Sequence, residues 1–510
     1  MGATNNTSKV SKLIHLSPIS ESIAMSSLRT TAAAVAPSAA TAPDGPTGRL
    51  ATWLASFKLE DTPVSARECA KTLILDGIAC ALVGAQLPWS RRAVEIVRRL
   101  EGTGSCSIVG WGEKISAPAA ALLNGTFIQG FELDDFHPLA PLHSASLILP
   151  ALWATIECQD KVTGRDFLEA VIAGCETGPR VGLALHGAQM LSRGWHSGSV
   201  FGTHAAAAGV GKLLRLNAAQ FEDALGLAGT QSAGLMAAQY EAMSKRMHHG
   251  LASRNGLYAA MLAQGGYTGI KRVFEREYGG FLSTFGEGHA PDETQIANEL
   301  GIRWEVERIV IKSYAAMGGI HSPLDALFEV EAKRSLKAEE IRSIECDVSH
   351  AVYHHGWWEL EYPLTPIGAQ MNIGYALAVA VLDGAAMIQQ FSPNRINQKD
   401  IWALLPRISV RHDPAFDIGG VSKRGQTRVT VNFNDGEKIV VERAMPRIAE
   451  KRQSFDEVAR KYRTMTVDLM DSDRQANIEK MVCSIEDIPD MRSLMALLGP
   501  VVGTAFVDFN

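Results

Sequence analysis

The chain has 510 residues, long enough for two or more domains, and 46% of them are hydrophobic, an ordinary share for a globular protein with a large core. Its 49 basic and 55 acidic residues give a net charge of −6, which excludes a global positive field for nucleic acid or an anionic membrane and leaves any anionic ligand to a local basic cluster. Seven cysteines (Cys69, Cys80, Cys106, Cys158, Cys175, Cys346, Cys483) lie scattered with no CxxC pair, arguing for buried thiols in a reducing compartment and against a cysteine-ligated zinc; no apolar run reaches the length of a membrane span.

The first 46 residues are rich in Ser, Thr and Ala, with Lys9, Lys12 and Arg29 against the single acid Glu21 before Asp44. That composition suits a transit peptide or a disordered tail, so mitochondrial and cytoplasmic locations are both expected. From about Thr47 to Ile302 the pattern is helical. "DTPVSARECAKTLILDGIACALVGA" opens with Asp61 or Thr62 as N-cap and Pro63 at the first helical position, and carries Cys69, Leu73, Leu75, Ile78 and Leu82 on a broad face. Similar start signals stand near Ser116, Thr163, Ser197 and Asn217, amid enough Ala and Gly for close helix packing.

Past residue 305 the period changes. "IRSIECDVSH" and "RVTVNF" alternate with period two, and "NDGE" at 434–437 is a tight turn into "KIVVER". These predict antiparallel strands, interleaved with helical patterns at 321–333 and 365–385. The expected fold class is therefore mainly α: a large all-α domain from residues 47–307 and 444–510, with a smaller α+β domain, 308–443, inserted in it. No solenoid repeat, P-loop or dinucleotide fingerprint is present.

Four stretches gather ionisable side chains beside glycines. In "FELDDFHPLAPLHSASLILP", Glu132, Asp134 and Asp135 run into His137 and His143; the group could bind metal, work as acid and base, or simply cap a helix starting near Leu142. In "GWHSGSVFGTHAAAAG", His196 and Ser197 stand at a helix start whose free N–H groups suit a carboxylate, and His204 lies deeper, as a core histidine. In "SKRMHHGLASRNG", Lys245 shares a helix face with His248 and His249, Arg246 falls on a neighbouring face, and Gly250 lets another backbone approach. In "IVIKSYAAMGGIHSP", Lys312 ends a strand-like run and His321 precedes a helix. Taken together these offer lysines and histidines to a compact polyanion. Without a phosphate loop, a polycarboxylate is the natural ligand, held by lysines while a histidine near neutrality moves a proton.

Those segments, with "LILDGIACALVGA" and "EREYGGFL", resemble the MmgE/PrpD superfamily from about residue 47 almost to the C-terminus, and within it the fungal type of cis-aconitate decarboxylase. The resemblance implies an all-α domain from both chain ends, an α+β lid, a homodimer, and no metal or organic cofactor. Carried over by motif, it implies catalytic roles for Glu132 or Asp134, His143, His196, Lys245 and Lys312. Arg246, His248, His321 and Ser197 are expected to help bind substrate. The implied activity is that of a carboxy-lyase acting on cis-aconitate to give an itaconate-type acid. Two departures bear on the substrate: Met317 stands where animal decarboxylases carry a lid histidine, and Phe136 replaces a threonine after the acidic run. Both enlarge the apolar share of the pocket, as an alkyl-bearing aconitate of secondary metabolism would require. The alternatives are a dehydratase of 2-methylcitrate or an alkylcitrate, a catalytically silent carboxylate binder, and a metallohydrolase using Asp134, Asp135, His137 and His143.

Overall fold

A computed structural model describes residues 37–419 and 425–506. The expectation of a tail or transit segment falls mostly on residues 1–36, outside the described residues. At its end, Thr41 donates to Glu222 through both its backbone N–H and its hydroxyl, at 2.9 Å each, and the first helix opens at Pro46.

The described residues hold twenty α-helices and only small sheets, as a mainly α chain requires. Five helices form the centre: Ala117–Ile128, Ser144–Cys158, Gly164–Ala184, Ser197–Leu213 and Ser244–Gln264. Two of the start signals read from the sequence cap helices of this group, a third caps Ala218–Gly229, and the helix expected near Leu142 begins at Ser144. Ser116, Thr163 and Asn217 each accept a backbone N–H of the following turn, while Pro63 is itself the cap of Val64–Ala85 rather than its first residue. Small residues set how closely the helices cross. A Cβ on Gly250 would stand 2.0 Å from the Leu122 carbonyl oxygen, and one on Gly125 2.8 Å from the Gly250 Cα, so Ser244–Gln264 and Ala117–Ile128 touch backbone to backbone.

The strands at 341–348, 427–433 and 438–443 are antiparallel neighbours, as their alternation predicts. A fourth, Ile408–His412, joins Ile341–Val348 in parallel, giving the order 408–412, 341–348, 427–433, 438–443. Helix His321–Lys333 packs on the strands at 427–433 and 438–443, and helix Ile373–Asp383 on Ile408–His412. The chain then returns through Phe455–Thr466, which packs on Val64–Ala85. A hairpin in the helical part, Cys106–Ile108 with Glu113–Ile115, was not apparent from the periodicity. Five of the seven cysteines are buried, but Cys158 and Cys483 are exposed, each the last residue of its helix. No single helix among the described residues is long and apolar enough to cross a membrane.

Candidate active site

Strand Asp135–Phe136 pairs antiparallel with Val310–Ile311, Asp135 opposite Ile311. That register brings the next residue, Lys312, to the acidic segment: its Nζ lies 3.0 Å from Glu132 Oε2 and 3.7 Å from Asp134 Oδ1. From the other side Lys245, in the first turn of Ser244–Gln264, donates to Glu132 Oε1, which also accepts from Gln129 Nε2 at 2.7 Å. One carboxylate thus carries an ammonium on each oxygen, and all three side chains are buried. Burial alone would raise Glu132, but Lys245, Lys312 and His143 outweigh it and hold its carboxyl well below the usual range. Burial lowers Lys245, whereas at Lys312 it is outweighed by Glu132 and Asp134, which raise that group. Lys312 is the firmer cation because it faces two carboxylates. Glu132 itself sits in the left-handed backbone region, φ 54° and ψ 32°, at a cost on the order of 1–2 kcal/mol for an L-residue.

Beside this triad runs a row of imidazoles. His143 and His249, His249 and His196, and His196 and His248 each have ring centroids 5.0 Å apart. His143 shares its Nδ1 with Asp134 Oδ1 at 3.1 Å, which leaves Nε2 for the cavity. His249 Nδ1 meets the Ser146 hydroxyl at 2.7 Å, and His196 and His248 share one proton between their Nδ1 atoms at 2.8 Å. Burial, reinforced by neighbouring imidazoles and Lys245, holds His196 and His249 well below the ordinary histidine value. Burial followed by Lys245 brings His248 down to about 4. At neutral pH these three rings are uncharged.

The row opens on a cavity of about 330 Å³. One end is polar, formed by Glu132, His143, His196, Ser197, Lys245 and Lys312; the rest is walled chiefly by Phe136, Leu191, Met236, Met317, Met371 and Met445. Asp134 lies just behind His143. The other residues singled out in the sequence stand elsewhere. Arg246 lies under the Trp89 ring and donates to the Gly130 carbonyl and to Gln370, because one helical step from Lys245 turns it to another face. His248 turns its outer side to a surface groove by Leu251 and Asn255, and His321 is buried between Phe136 and Tyr314. Asp135 accepts the backbone N–H groups of Ser144 and Ala145, capping Ser144–Cys158, and His137 is spent on Glu305 and the Ala140 N–H. The acidic loop is buried, not solvated, and Asp134, Asp135, His137 and His143 do not converge on one point. His249, read in the sequence on the helix face of Lys245 and His248 but not counted among the expected site residues, stands in the imidazole row. Val352 and His355, from helix His350–Gly356, also line the cavity and carried no signal at all.

Helices and connecting segments thus enclose two buried lysines, a carboxylate and a file of imidazoles at one cavity: a mainly helical scaffold with a buried ionisable centre. Residues 48–294 match the MmgE/PrpD N-terminal domain and residues 314–487 the MmgE/PrpD C-terminal domain. The chain belongs to the MmgE/PrpD family. It is 43% identical over 468 residues to the cis-aconitate decarboxylase-like protein oryM of Aspergillus oryzae, covering 89% of this chain and 97% of that one. It is 39% identical over 482 residues to a cis-aconitate decarboxylase of Aspergillus terreus (91% and 98% covered), and 25% identical over 450 residues to the human cis-aconitate decarboxylase (84% and 90%).

Proposed function

We propose that this protein is a cofactor-independent carboxy-lyase that decarboxylates cis-aconitate, or an alkyl-substituted aconitate-type acid, to an itaconate-type methylene acid. The observation that carries the reading is the pair of buried lysines that line one cavity together with His143 and His196. The names of the relatives support the same chemistry. Each ammonium has three N–H donors and Glu132 engages one of them, so both lysines retain donors for substrate carboxylates. The carboxylate that leaves is β,γ to a double bond conjugated with a second carboxylate. When its C–C bond breaks, the electron pair spreads over an allylic, dienolate-like anion, and stabilising that anion is the main catalytic task. Lys245 and Lys312 hold the carboxylates that remain; His143, oriented by Asp134, delivers a proton to the carbon beside one of them, and the methylene group forms.

The apolar walls favour an alkyl-bearing acid. Phe136, Met317 and Met445 offer surface that cis-aconitate, charged at every end, does not use. The segment 308–443 is read as a lid, since the cavity takes walls from it and from the helical body. A small carboxylate is the partner the site calls for; a homodimer is proposed as the assembly. Incubation of the purified protein with cis-aconitate and a series of alkyl homologues, followed by product mass, tests the reading. Loss of CO₂ with kcat/KM rising along the series is expected; loss of water marks a dehydratase, and no turnover of any member a silent binder.

A further inference from the structure

The chain around Glu132 is held in an uncommon way. Gly130, Phe131 and Leu133 all lie next to it, and each of their carbonyls accepts from a side chain brought in by a different element. Arg246 Nε of helix Ser244–Gln264 reaches Gly130 at 2.7 Å, Gln370 Nε2 of helix Pro366–Met371 reaches Phe131 at 2.7 Å, and Lys461 Nζ of helix Phe455–Thr466 reaches Leu133 at 2.7 Å. None of the three donors lines the cavity. Gln370 does more: its amide also donates to the Ala315 carbonyl at 3.1 Å, its Oε1 accepts from Arg246 Nη2 at 3.1 Å, and its backbone carbonyl accepts the Met317 N–H at 2.9 Å. One side chain therefore ties together the segments that carry Glu132, Lys245 and Lys312. Lys461 is anchored in turn by the buried Asp76, at 2.6 Å.

Resting on the function proposed above, we propose that Gln370 and Lys461 are positioning residues: with Arg246 they fix the left-handed backbone at Glu132 and so hold its carboxylate between Lys245 and Lys312. An L-residue keeps that conformation only where its surroundings over-determine it. Were the flanking carbonyls free to turn, residue 132 would relax to an ordinary conformation and swing its side chain from between the lysines. Both ammonium groups would lose the partner that sets their charge and spacing. Mere satisfaction of buried carbonyls is the competing account, and it predicts lost stability with unchanged chemistry.

Gln370→Glu keeps the acceptor for Arg246 and loses the amide donor; the double variant Asp76→Asn/Lys461→Met removes the Leu133 contact without stranding a buried charge; Lys461→Arg keeps both contacts. In folded Gln370→Glu and in the double variant, kcat is expected to fall on the order of 100-fold with a smaller change in KM. Acetylation of Lys245 by acetic anhydride, read by mass spectrometry without substrate, is expected to run several-fold faster, because losing the Glu132 carboxylate removes the charge that opposes the effect of burial on the amine and leaves more of it unprotonated. Lys461→Arg should match the wild type in both. Wild-type kcat and wild-type Lys245 labelling in the folded variants would overturn the proposal, and so would failure of both altered proteins to fold, which would make these residues scaffold alone. A wild-type protein that turns over no aconitate-type acid defeats the function and leaves the labelling comparison standing.

Discussion

Glu132 meets Lys245 and Lys312 through opposite oxygens, so removing one lysine leaves the carboxylate paired with the other. Lys245→Ala is therefore expected to stay folded while turnover falls by at least about 100-fold, the scale on which loss of a preorganised charge acts. His143→Ala should do the same; steady-state rates alongside circular dichroism check both, and full activity in either removes that residue from the site. His204 gives a pH prediction free of catalysis. Burial against Phe274 and Phe281 holds it at about 3. Its folded value is depressed below the unfolded value near 6.5, so between those limits the unfolded chain binds a proton that the folded chain refuses. Wild type should lose stability relative to His204→Gln by about 1.4 kcal/mol for each pH unit below about 6.5, as pH falls toward 4. Parallel denaturation of the two proteins at pH 7 and pH 5 measures it; a constant difference would show that His204 takes up its proton while still folded. At this scale the sequence was partly legible. Charge beside glycine marked Glu132, His143, His196, Ser197, Lys245 and Lys312, which do meet at the cavity. Arg246 and His321 carried similar signals and lie behind its walls, because residue type does not say which way a side chain turns.

Helix positions depend on a few contacts that single substitutions can break. Gly250 follows His249 on the helix of Lys245, and a methyl group there would run into the Leu122 carbonyl. Gly250→Ala should force the helices 244–264 and 117–128 apart, with a clear fall in Tm and in soluble yield; an unchanged Tm would mean that the crossing can open at no cost. Asp135 caps the helix that begins beside His143, and losing such a cap costs about 0.5–2 kcal/mol. Asp135→Ala is expected to lower Tm and also to lower kcat, since His143 is the residue before that helix; a fall in Tm with unaltered kcat would separate the cap from the site. Capping residues and period-two alternation announced most long elements in the sequence. The two-residue strand Asp135–Phe136 was beyond reach, because a bridge that short has no period and its partner lies more than 170 residues away in the chain; it is nonetheless the contact that delivers Lys312. Ile408–His412 alternates, but nothing local told that it would pair in parallel.

Taken whole, the described residues bury one cluster of charged groups at the cavity and leave several large apolar side chains exposed around one helix. Leu235, Tyr240, Met243, Tyr258 and Leu262, all exposed, lie on or beside helix Ser244–Gln264, and a second copy of the chain would cover them as the expected homodimer requires. Sedimentation velocity should show a dimer for the wild type and a monomer for Tyr258→Glu/Leu262→Glu; a monomeric wild type would contradict the expectation. The organisation into helical and α+β stretches could be read from periodicity, but the cavity could not, since it depends on segments that meet only after folding. The account stands or falls on what the cavity does to its substrate. Turnover of cis-aconitate, or of the alkyl homologue that reacts best, in D₂O with NMR detection tests this most directly. The account predicts one CO₂ released per molecule and a single deuterium on the new CH₂ beside a carboxylate, opposite the methylene group. A product that keeps all its carbon, or one with deuterium at the terminal carbon that lost the carboxylate, would contradict it.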